Sequence, residues 1–280
     1  MPRRWTLVAA ALVAAVAGVG VLLTAAFRSP GGDVRLLQFN MCGHVCRDAS
    51  ADKVAAVADL VADVRPEAVA LNEVCRVQLD SVVTETADRG WAMHGRFIVT
   101  QPDECGSDGD YGLAVLTRAR VRSTDRLNFA AQVPGNPEHR GLLCVVAALG
   151  GRPTRICTTH IVDSFDDPVG DVRRTQIVTA AGRIDSSRLP VVLMGDLNVR
   201  PRARVLGALY TRAHGGGAHG RFDEVGQGPQ VCRCGAATHG RRARYDYIFV
   251  RQGDFAVVGE TLRRSPLSDH RALIGRVTLR

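Results

Sequence analysis

The residues best equipped for chemistry in this 280-residue sequence are acids, amides and histidines placed where an apolar run stops. Residues 189–194 form one such run, which breaks at Gly195-Asp196-Leu197-Asn198. Asp196 and Asn198, two apart where a strand leaves its sheet, point the same way and offer a carboxylate and an amide to one phosphate or cation. The same four residues also make an ordinary turn. Glu73 follows the apolar residues 68–71, Asn40 closes residues 34–40, His160 follows Thr158-Thr159, and Asp269-His270 precede residues 272–279. Taken singly, Glu73 also reads as a salt-bridged surface residue and His160 as a structural histidine. Asp246 differs: between Tyr245 and Tyr247 it puts a charge inside an apolar strand, which is costly unless paired. His270 supplies the partner if the last two strands, residues 245–250 and 272–279, are neighbours. Asp246 then holds the imidazole in one tautomer and raises its basicity, as a general base requires.

Such groups need several strands whose ends meet. Residues 34–40 place Leu37 and Phe39 on one face and Leu36, Gln38 and Asn40 on the other. Ser50 caps a helix in which Val54, Val57, Val61 and Val64 share a face, and Pro66 ends it. Residues 68–71 then deliver Asn72 and Glu73, residues 102–110 read as a polar loop, and 112–117 as a strand. Residues 142–149 and 154–159 form a hairpin turned at Gly150-Gly151-Arg152-Pro153. Pro168 opens a helix carrying Val172, Gln176 and Thr179 toward Ile184, while residues 213–239, rich in Gly, His and Arg, offer the least pattern. Strands interleaved with two or three helices, hairpins included, predict an α/β domain with a mixed rather than purely parallel sheet and helices packed outside. Because the polar strand ends run from end to end, residues 33–280 are read as one domain.

With 46% hydrophobic residues and no low-complexity tract, this body is globular rather than disordered. The net charge of +8 includes Arg3, Arg4 and Arg28, which flank the N-terminal segment and leave the body near +5. Lys53 is the only lysine, and the arginine bias fits a solvated basic surface better than a dedicated nucleic-acid patch. Residues 1–32 are read as a signal anchor or signal peptide with a short linker, because the run 6–27 is uncharged, apolar and flanked by arginines. Either way the body is expected outside the cytoplasm, secreted or anchored to the membrane by that segment. Cys42, Cys46, Cys75, Cys105, Cys144, Cys157, Cys232 and Cys234 make an even set, which in an exported chain implies disulfides. The hairpin predicts Cys144 with Cys157. A zinc site is not expected, since no pair of C-x-x-C clamps is present.

Leu37-Gln38-Phe39-Asn40, Leu71-Asn72-Glu73-Val74, Tyr111-Gly112-Leu113-Ala114-Val115-Leu116, Thr158-Thr159-His160, Gly195-Asp196-Leu197-Asn198, Tyr245-Asp246-Tyr247-Ile248-Phe249 and Ser268-Asp269-His270 occur in an order that resembles the endonuclease/exonuclease/phosphatase superfamily, the deoxyribonuclease-I-like fold. They cover nearly all the chain after Gly32. The resemblance implies a four-layer α/β sandwich, two mixed β-sheets face to face with helices outside, and a site at one edge. It also implies a divalent-metal-dependent phosphoric ester hydrolase. Glu73 would be the main metal ligand with Asn40 and Asp269 nearby, and Asn40 would also border the substrate. His270, oriented by Asp246, would be the general base. Asp196 and Asn198 would position water and phosphate, and His160 would hold a phosphate oxygen or assist the leaving group. Mg2+ is the natural ion, with Mn2+ or Ca2+ as alternatives. Arg173 and Gln176 are expected as structural supports.

Two features depart from better-known branches. Cys75 stands where deoxyribonuclease-type enzymes tend to carry an arginine that touches DNA, with Arg76 displaced by one. Aromatic residues, at 5%, supply no Trp or Phe cluster like the membrane hairpin of bacterial sphingomyelinases. The expected activity is phosphodiester hydrolysis by an extracytoplasmic, nuclease-like enzyme, with nucleic acid ahead of lipid or inositol phosphate as substrate. Arg200, Arg202 and Arg204, and Arg241, Arg242 and Arg244, are candidates for a backbone-binding rim. Hydrolysis of phospholipids, as by a sphingomyelinase, or of inositol phosphates is the second reading. A non-catalytic binding or toxin-like module of the same fold is the third. The N-terminal segment, if uncleaved, makes the membrane a partner, and no obligate protein partner is expected.

Overall fold

Apolar strands alternating in which face they bury assemble into two six-stranded mixed sheets packed face to face. The computed structural model describes residues 33–44, 46, 50–227, 232–240 and 242–280; the expected signal segment at 1–32 and Arg241 lie outside these. In chain order the strands are β1 (Val34–Asn40), β2 (Ala68–Cys75), β3 (His94–Gln101), β4 (Tyr111–Thr117), β5 (Ser123–Asn128) and β6 (Gly141–Leu149). They continue with β7 (Arg152–His160), β8 (Val191–Asp196), β9 (Phe222–Glu224), β10 (Asp246–Arg251), β11 (Phe255–Arg264) and β12 (Arg271–Leu279). One sheet runs β11-β12-β1-β2-β4-β3 and the other β5-β6-β7-β8-β10-β9.

Between the sheets lies a core built from both, including Leu36, Ala70, Val115, Val145, Ile156, Met194, Ile248 and Leu273. The opposite face of the first sheet, through Leu37, Phe39 and Leu71, is covered by helices α1 (Ser50–Val64) and α2 (Arg76–Asp88). Val54, Val57, Val61 and Val64 are the buried stripe of α1, as the spacing predicts. Helix α3 (Asp171–Asp185) covers the second sheet with Ile177, Ala180, Ala181 and Ile184. The result is the expected four-layer sandwich, helix–sheet–sheet–helix.

Strand register then decides what meets at the edge. In β7–β8 pairing His160 stands opposite Asp196, and in β8–β10 pairing Asp196 stands opposite Asp246. In the other sheet Asn40 stands opposite Asn72, one residue before Glu73. The same edge of both sheets therefore carries most of the polar strand ends.

Some expectations fail. Residues 246–251 and 271–279 are not neighbouring strands, because β10 belongs to one sheet and β12 to the other, with β11 between them in sequence. The strand β11, absent from the sequence reading, sits at a sheet edge, and its short apolar start at Phe255-Ala256-Val257-Val258 gives way to mostly polar, half-exposed or exposed residues. Helix α2 begins directly after β2 with no turn residue, and α3 opens at Asp171 rather than Pro168. Asp167, three residues ahead of the N-cap Gly170, steadies the start of α3 by accepting from the backbone N–H of Gly170 at 3.0 Å and of Arg173 at 2.7 Å. All eight cysteines are paired: Cys42 with Cys46, Cys75 with Cys105, Cys144 with Cys157, and Cys232 with Cys234. The predicted Cys144–Cys157 bridge lies across directly opposed positions of the β6–β7 hairpin.

Candidate active site

A buried amide network first fixes the distance between the sheets. Gln38 Nε2 donates to Asn72 Oδ1 (2.6 Å) and to Asp246 Oδ1 (3.3 Å), and Asn72 Nδ2 donates to Thr158 Oγ1 (3.2 Å). The backbone N–H of Asp196 donates to the same Asn72 oxygen at 2.9 Å. The network ties β1 and β2 to β7, β8 and β10, and leaves Gln38 Oε1 buried without a partner. Gly195 is required by the approach of β7, since a Cβ there would lie 2.2 Å from the Thr159 carbonyl oxygen.

Glu73 and Asn198 reach the site through unusual backbone. Both are non-glycine residues with positive φ, +55° and +49°. The β2–β4 ladder shifts register between Leu71 and Val74, a bulge that turns Glu73 out of the alternation of its strand. Asn198 tolerates the left-handed region better than most residues, and its N–H donates to Asp196 Oδ1 at 2.9 Å.

Asn40 holds this corner together. Its Nδ2 donates to Glu73 Oε1 (2.8 Å) and Asp196 Oδ2 (3.2 Å), while its Oδ1 accepts from the Cys42 N–H (3.0 Å). In this arrangement Asn40 orients two carboxylates. The loop that follows is pinned from below by the buried Lys53, whose Nζ donates to the Cys42 carbonyl at 2.6 Å.

Asp246 and His270 meet as predicted, although across the gap between sheets rather than along one. His270 Nδ1 donates to Asp246 Oδ2 at 2.8 Å, and its Nε2 faces Asp196 Oδ2 at 3.6 Å. Ser268 places the ring, accepting from the His270 N–H at 3.0 Å and donating to the Asn40 carbonyl at 2.8 Å. Burial opposes charge on His270, but the carboxylates of Asp246 and Asp196 outweigh it and raise the imidazole to about 10. Burial would likewise raise Asp246, yet His270 holds it below the usual carboxylate range. Asp196 is pushed up, to about 7, by burial and by the charge of Asp246.

His160 is the opposite case. Arg140 Nη1 lies 2.7 Å from His160 Nδ1, and a guanidinium only donates, so Nδ1 accepts and Nε2 carries the proton. Burial, Arg140 and His270 all hold this imidazole well below its usual pKa, so it is neutral. Asn198 Nδ2 sits 3.1 Å from His160 Nε2 while donating to the Ile161 carbonyl at 3.0 Å. With Nε2 protonated both nitrogens are donors, so their contact is not a hydrogen bond, and an acceptor placed beside both, such as a phosphate oxygen, would satisfy them.

Four further residues join the site without having been singled out from sequence. Arg140 also pairs with Glu138 Oε1 at 2.7 Å, and burial together with nearby carboxylates raises Glu138 to about 7 despite that guanidinium. Tyr111 is kept protonated by burial and by Glu73 and Glu138. Only Tyr111 lay inside a quoted motif; Glu138 and Arg140 sit in a loop with no flanking pattern. His239 lies 3.1 Å from Asp269 Oδ2 and packs its ring against His270, with centroids 4.6 Å apart. Arg173 and Gln176 divide: Gln176 supports the His160 loop, accepting from the Val162 N–H at 3.1 Å and donating to the Ala131 carbonyl at 2.9 Å.

These groups line one cavity of about 410 Å³, shared by Glu73, His160, Asp196, Asn198, Asp269 and His270 with Tyr111, Glu138, Arg140 and His239. Its wall carries six carboxylates, from Glu73, Glu138, Asp163, Asp166, Asp196 and Asp269, against a single guanidinium. Such a hard-oxygen, acid-rich lining fits a divalent cation that keeps part of its water shell. Glu73 and Asp269 would hold it. Among the described residues Asp269 groups with His239 and His270, and Asp196 with Asp246 and His270, while Glu73 belongs to no such cluster.

A family model described as Endonuclease/Exonuclease/phosphatase family matches residues 37–270. No curated protein matches the sequence. Among solved structures, an endonuclease/exonuclease/phosphatase from Beutenbergia cavernae DSM 12333 superposes with a TM-score of 0.68 at 21% identity, covering 88% of this chain and 72% of that one. The human Nocturnin catalytic domain with bound sulfate gives 0.67 at 14%, covering 89% and 95%. D. rerio TDP2 complexed with a single-strand DNA product gives 0.66 at 16%, covering 88% and 99%. At these identities the likeness speaks for the fold alone, and the family match, which includes every residue of the acid-lined cavity, shows that the chain belongs to the endonuclease/exonuclease/phosphatase family.

Proposed function

We propose that this phosphoesterase-family chain is a divalent-cation-dependent phosphodiesterase working outside the cytoplasm, with nucleic acid as its substrate. One observation carries the reading: two neutral N–H donors, His160 Nε2 and Asn198 Nδ2, stand side by side in the wall of a cavity that also carries six carboxylates. An anionic ester entering six carboxylates is repelled unless a cation accompanies it, while the paired donors suit a phosphoryl oxygen. A divalent cation bound there would supply charge neutralisation for the phosphoryl group and Lewis acidity toward water.

The chain's own groups do the rest. His270, held through Nδ1 by Asp246, presents Nε2 to the attacking water beside Asp196. The carboxylates of Asp246 and Asp196 raise this imidazole, and a cation held among the acids of the cavity would oppose that rise and favour its action as a base. His160, fixed as the Nε2–H tautomer by Arg140, holds a phosphoryl oxygen through the reaction. The placement outside the cytoplasm is supported by the apolar run 6–27 and the four disulfides.

The test is a hydrolysis screen with Mg2+ over DNA, RNA, phospholipids and phosphomonoesters. Absence of cleavage of both DNA and RNA ends the nuclease reading. The apolar run 6–27 favours a second reading, phospholipid or inositol-phosphate hydrolysis, which release of phosphocholine or phosphate would establish.

A further inference from the structure

A second cavity, of about 470 Å³, opens beside the acid-lined one and shares Ser164, Asn198 and Tyr245 with it. Its charge is reversed, for its wall carries Arg173, Arg174, Arg200 and Arg204 with Asp171 as the one carboxylate. Arg174 is taken by that carboxylate at 2.5 Å. Arg173, Arg200 and Arg204 have no ion pair among the described residues, in contrast to Arg244, which is buried between Glu224 and Glu260 and cannot serve the rim. Arg173 Nη1 is buried with no hydrogen-bond partner, and its guanidinium lies so close over Gly170 that a Cβ there would meet Nη2 at 2.9 Å. An orphaned buried N–H is costly unless a ligand completes it.

The chain reaches this cavity by the same local steps that build the catalytic one. Arg200 and Arg204 follow Asn198 on the loop leaving β8, and Arg173 stands in the first turn of α3, after the loop that leaves His160. That loop also carries Phe165, 91% exposed, whose ring lines the acid cavity. Resting on the phosphodiesterase reading, we propose that the arginine cavity is a subsite for a second phosphoryl group, that of the nucleotide next to the scissile diester in a single-stranded polynucleotide. A polynucleotide offers an anion at every residue and a base at every step, which matches a guanidinium cluster and an exposed ring flanking one catalytic centre. Arg202, exposed but outside the cavity wall, is not part of the subsite.

The experiment compares the wild type with Arg200→Gln/Arg204→Gln and with Arg173→Gln, each checked for an unchanged thermal transition. With Mg2+ in a His270→Ala background, where turnover is suppressed, binding of a fluorescent oligothymidylate is titrated across a salt series. The variants should weaken binding about ten- to hundredfold at low salt and lower the slope of log affinity against log salt by about 0.7, one phosphate contact in a single strand. With Mg2+, the oligonucleotide KM should rise while hydrolysis of bis(4-nitrophenyl) phosphate, which has no second phosphate, keeps its kcat/KM. Unchanged binding and slope, or equal losses on both esters, overturn the subsite. So does displacement by inositol hexakisphosphate that depends on these arginines while oligonucleotide affinity does not. Failure of the wild type to hydrolyse either ester would instead count against the phosphodiesterase reading, and the binding series would still decide the subsite.

Discussion

His270 Nδ1 lies 2.8 Å from Asp246 Oδ2, although His270 leads into β12 of one sheet and Asp246 begins β10 of the other. The pair is a contact across the sandwich, so its geometry depends on the packing of the sheets and on the Gln38–Asn72 amides between them. His270→Ala should lower kcat by about 10²- to 10⁴-fold, the range of a lost general base. Asp246→Asn should fall within it, and the double variant should be no worse than His270→Ala, because residues acting as a unit are not additive. Additive losses in steady-state kinetics would separate the two residues and reject the dyad.

Arg140 makes a different demand on His160. With the guanidinium in place Nδ1 can only accept, and Nε2 is left to donate into the cavity. Arg140→Met should release the ring to its other tautomer and lower kcat about ten- to hundredfold, comparable to losing one positioned donor. Nitrogen-detected NMR of labelled histidine reads the tautomer directly, and an unchanged Nε2–H state in the variant would refute this account.

Removal of the cation provides a third test. Dialysis against a chelator should abolish hydrolysis, Mg2+ should restore it, and Glu73→Gln should raise the Mg2+ concentration for half-activity at least about tenfold, since a carboxylate ligand becomes a neutral one. The bulge that turns Glu73 inward is independent of its charge, so the variant should keep its thermal transition. Full activity in chelator would remove the cation from the mechanism.

What could be read in advance followed from local physics. The apolar runs gave the strands that end in Asn40, His160 and Asp196, and the cost of burying Asp246 called for His270. The pairing of those two was legible, but its route was not, because a charge needs a partner without specifying whether the partner lies beside it or across a core. Tyr111, Glu138 and Arg140 escaped for another reason. Each is placed by tertiary packing from β4 or from the loop before β6, and neither burial nor an ion pair leaves a trace in spacing. Arg244 shows the converse, a surface-looking arginine that folding buries between Glu224 and Glu260.

The hairpin bridge yields a stability prediction. Cys144 and Cys157 are 13 residues apart, and a loop of that size restricts the unfolded chain by about 3 kcal/mol in the entropy model. The double variant Cys144→Ala/Cys157→Ala should therefore lose about 2–4 kcal/mol in denaturant unfolding. It should keep catalytic function once folded, because both sulfurs lie on the outer, α3-facing side of the sheet, away from the cavity.

Glu138 makes stability depend on pH with a sign opposite to that of most carboxylates. Burial and the neighbouring Glu73, Asp166 and Asp163 raise it to about 7 against an ordinary 4.5, even with Arg140 beside it. Between those values the folded chain holds a proton that the unfolded chain has released. The contribution is therefore complete below pH 4.5 and declines as pH rises through 7. Glu138→Gln mimics the protonated form and leaves an amide oxygen for Arg140, so wild type and variant should unfold alike near pH 4.5. In chelator at pH 8 the variant should be the more stable, by about 2–3 kcal/mol from the size of the shift. Taking the difference between the two proteins cancels Asp196, which titrates in the same window. Melting curves that run parallel from pH 4.5 to 8 would mean that Glu138 is ionised in the folded chain, and that Arg140 alone sets the charge beside His160.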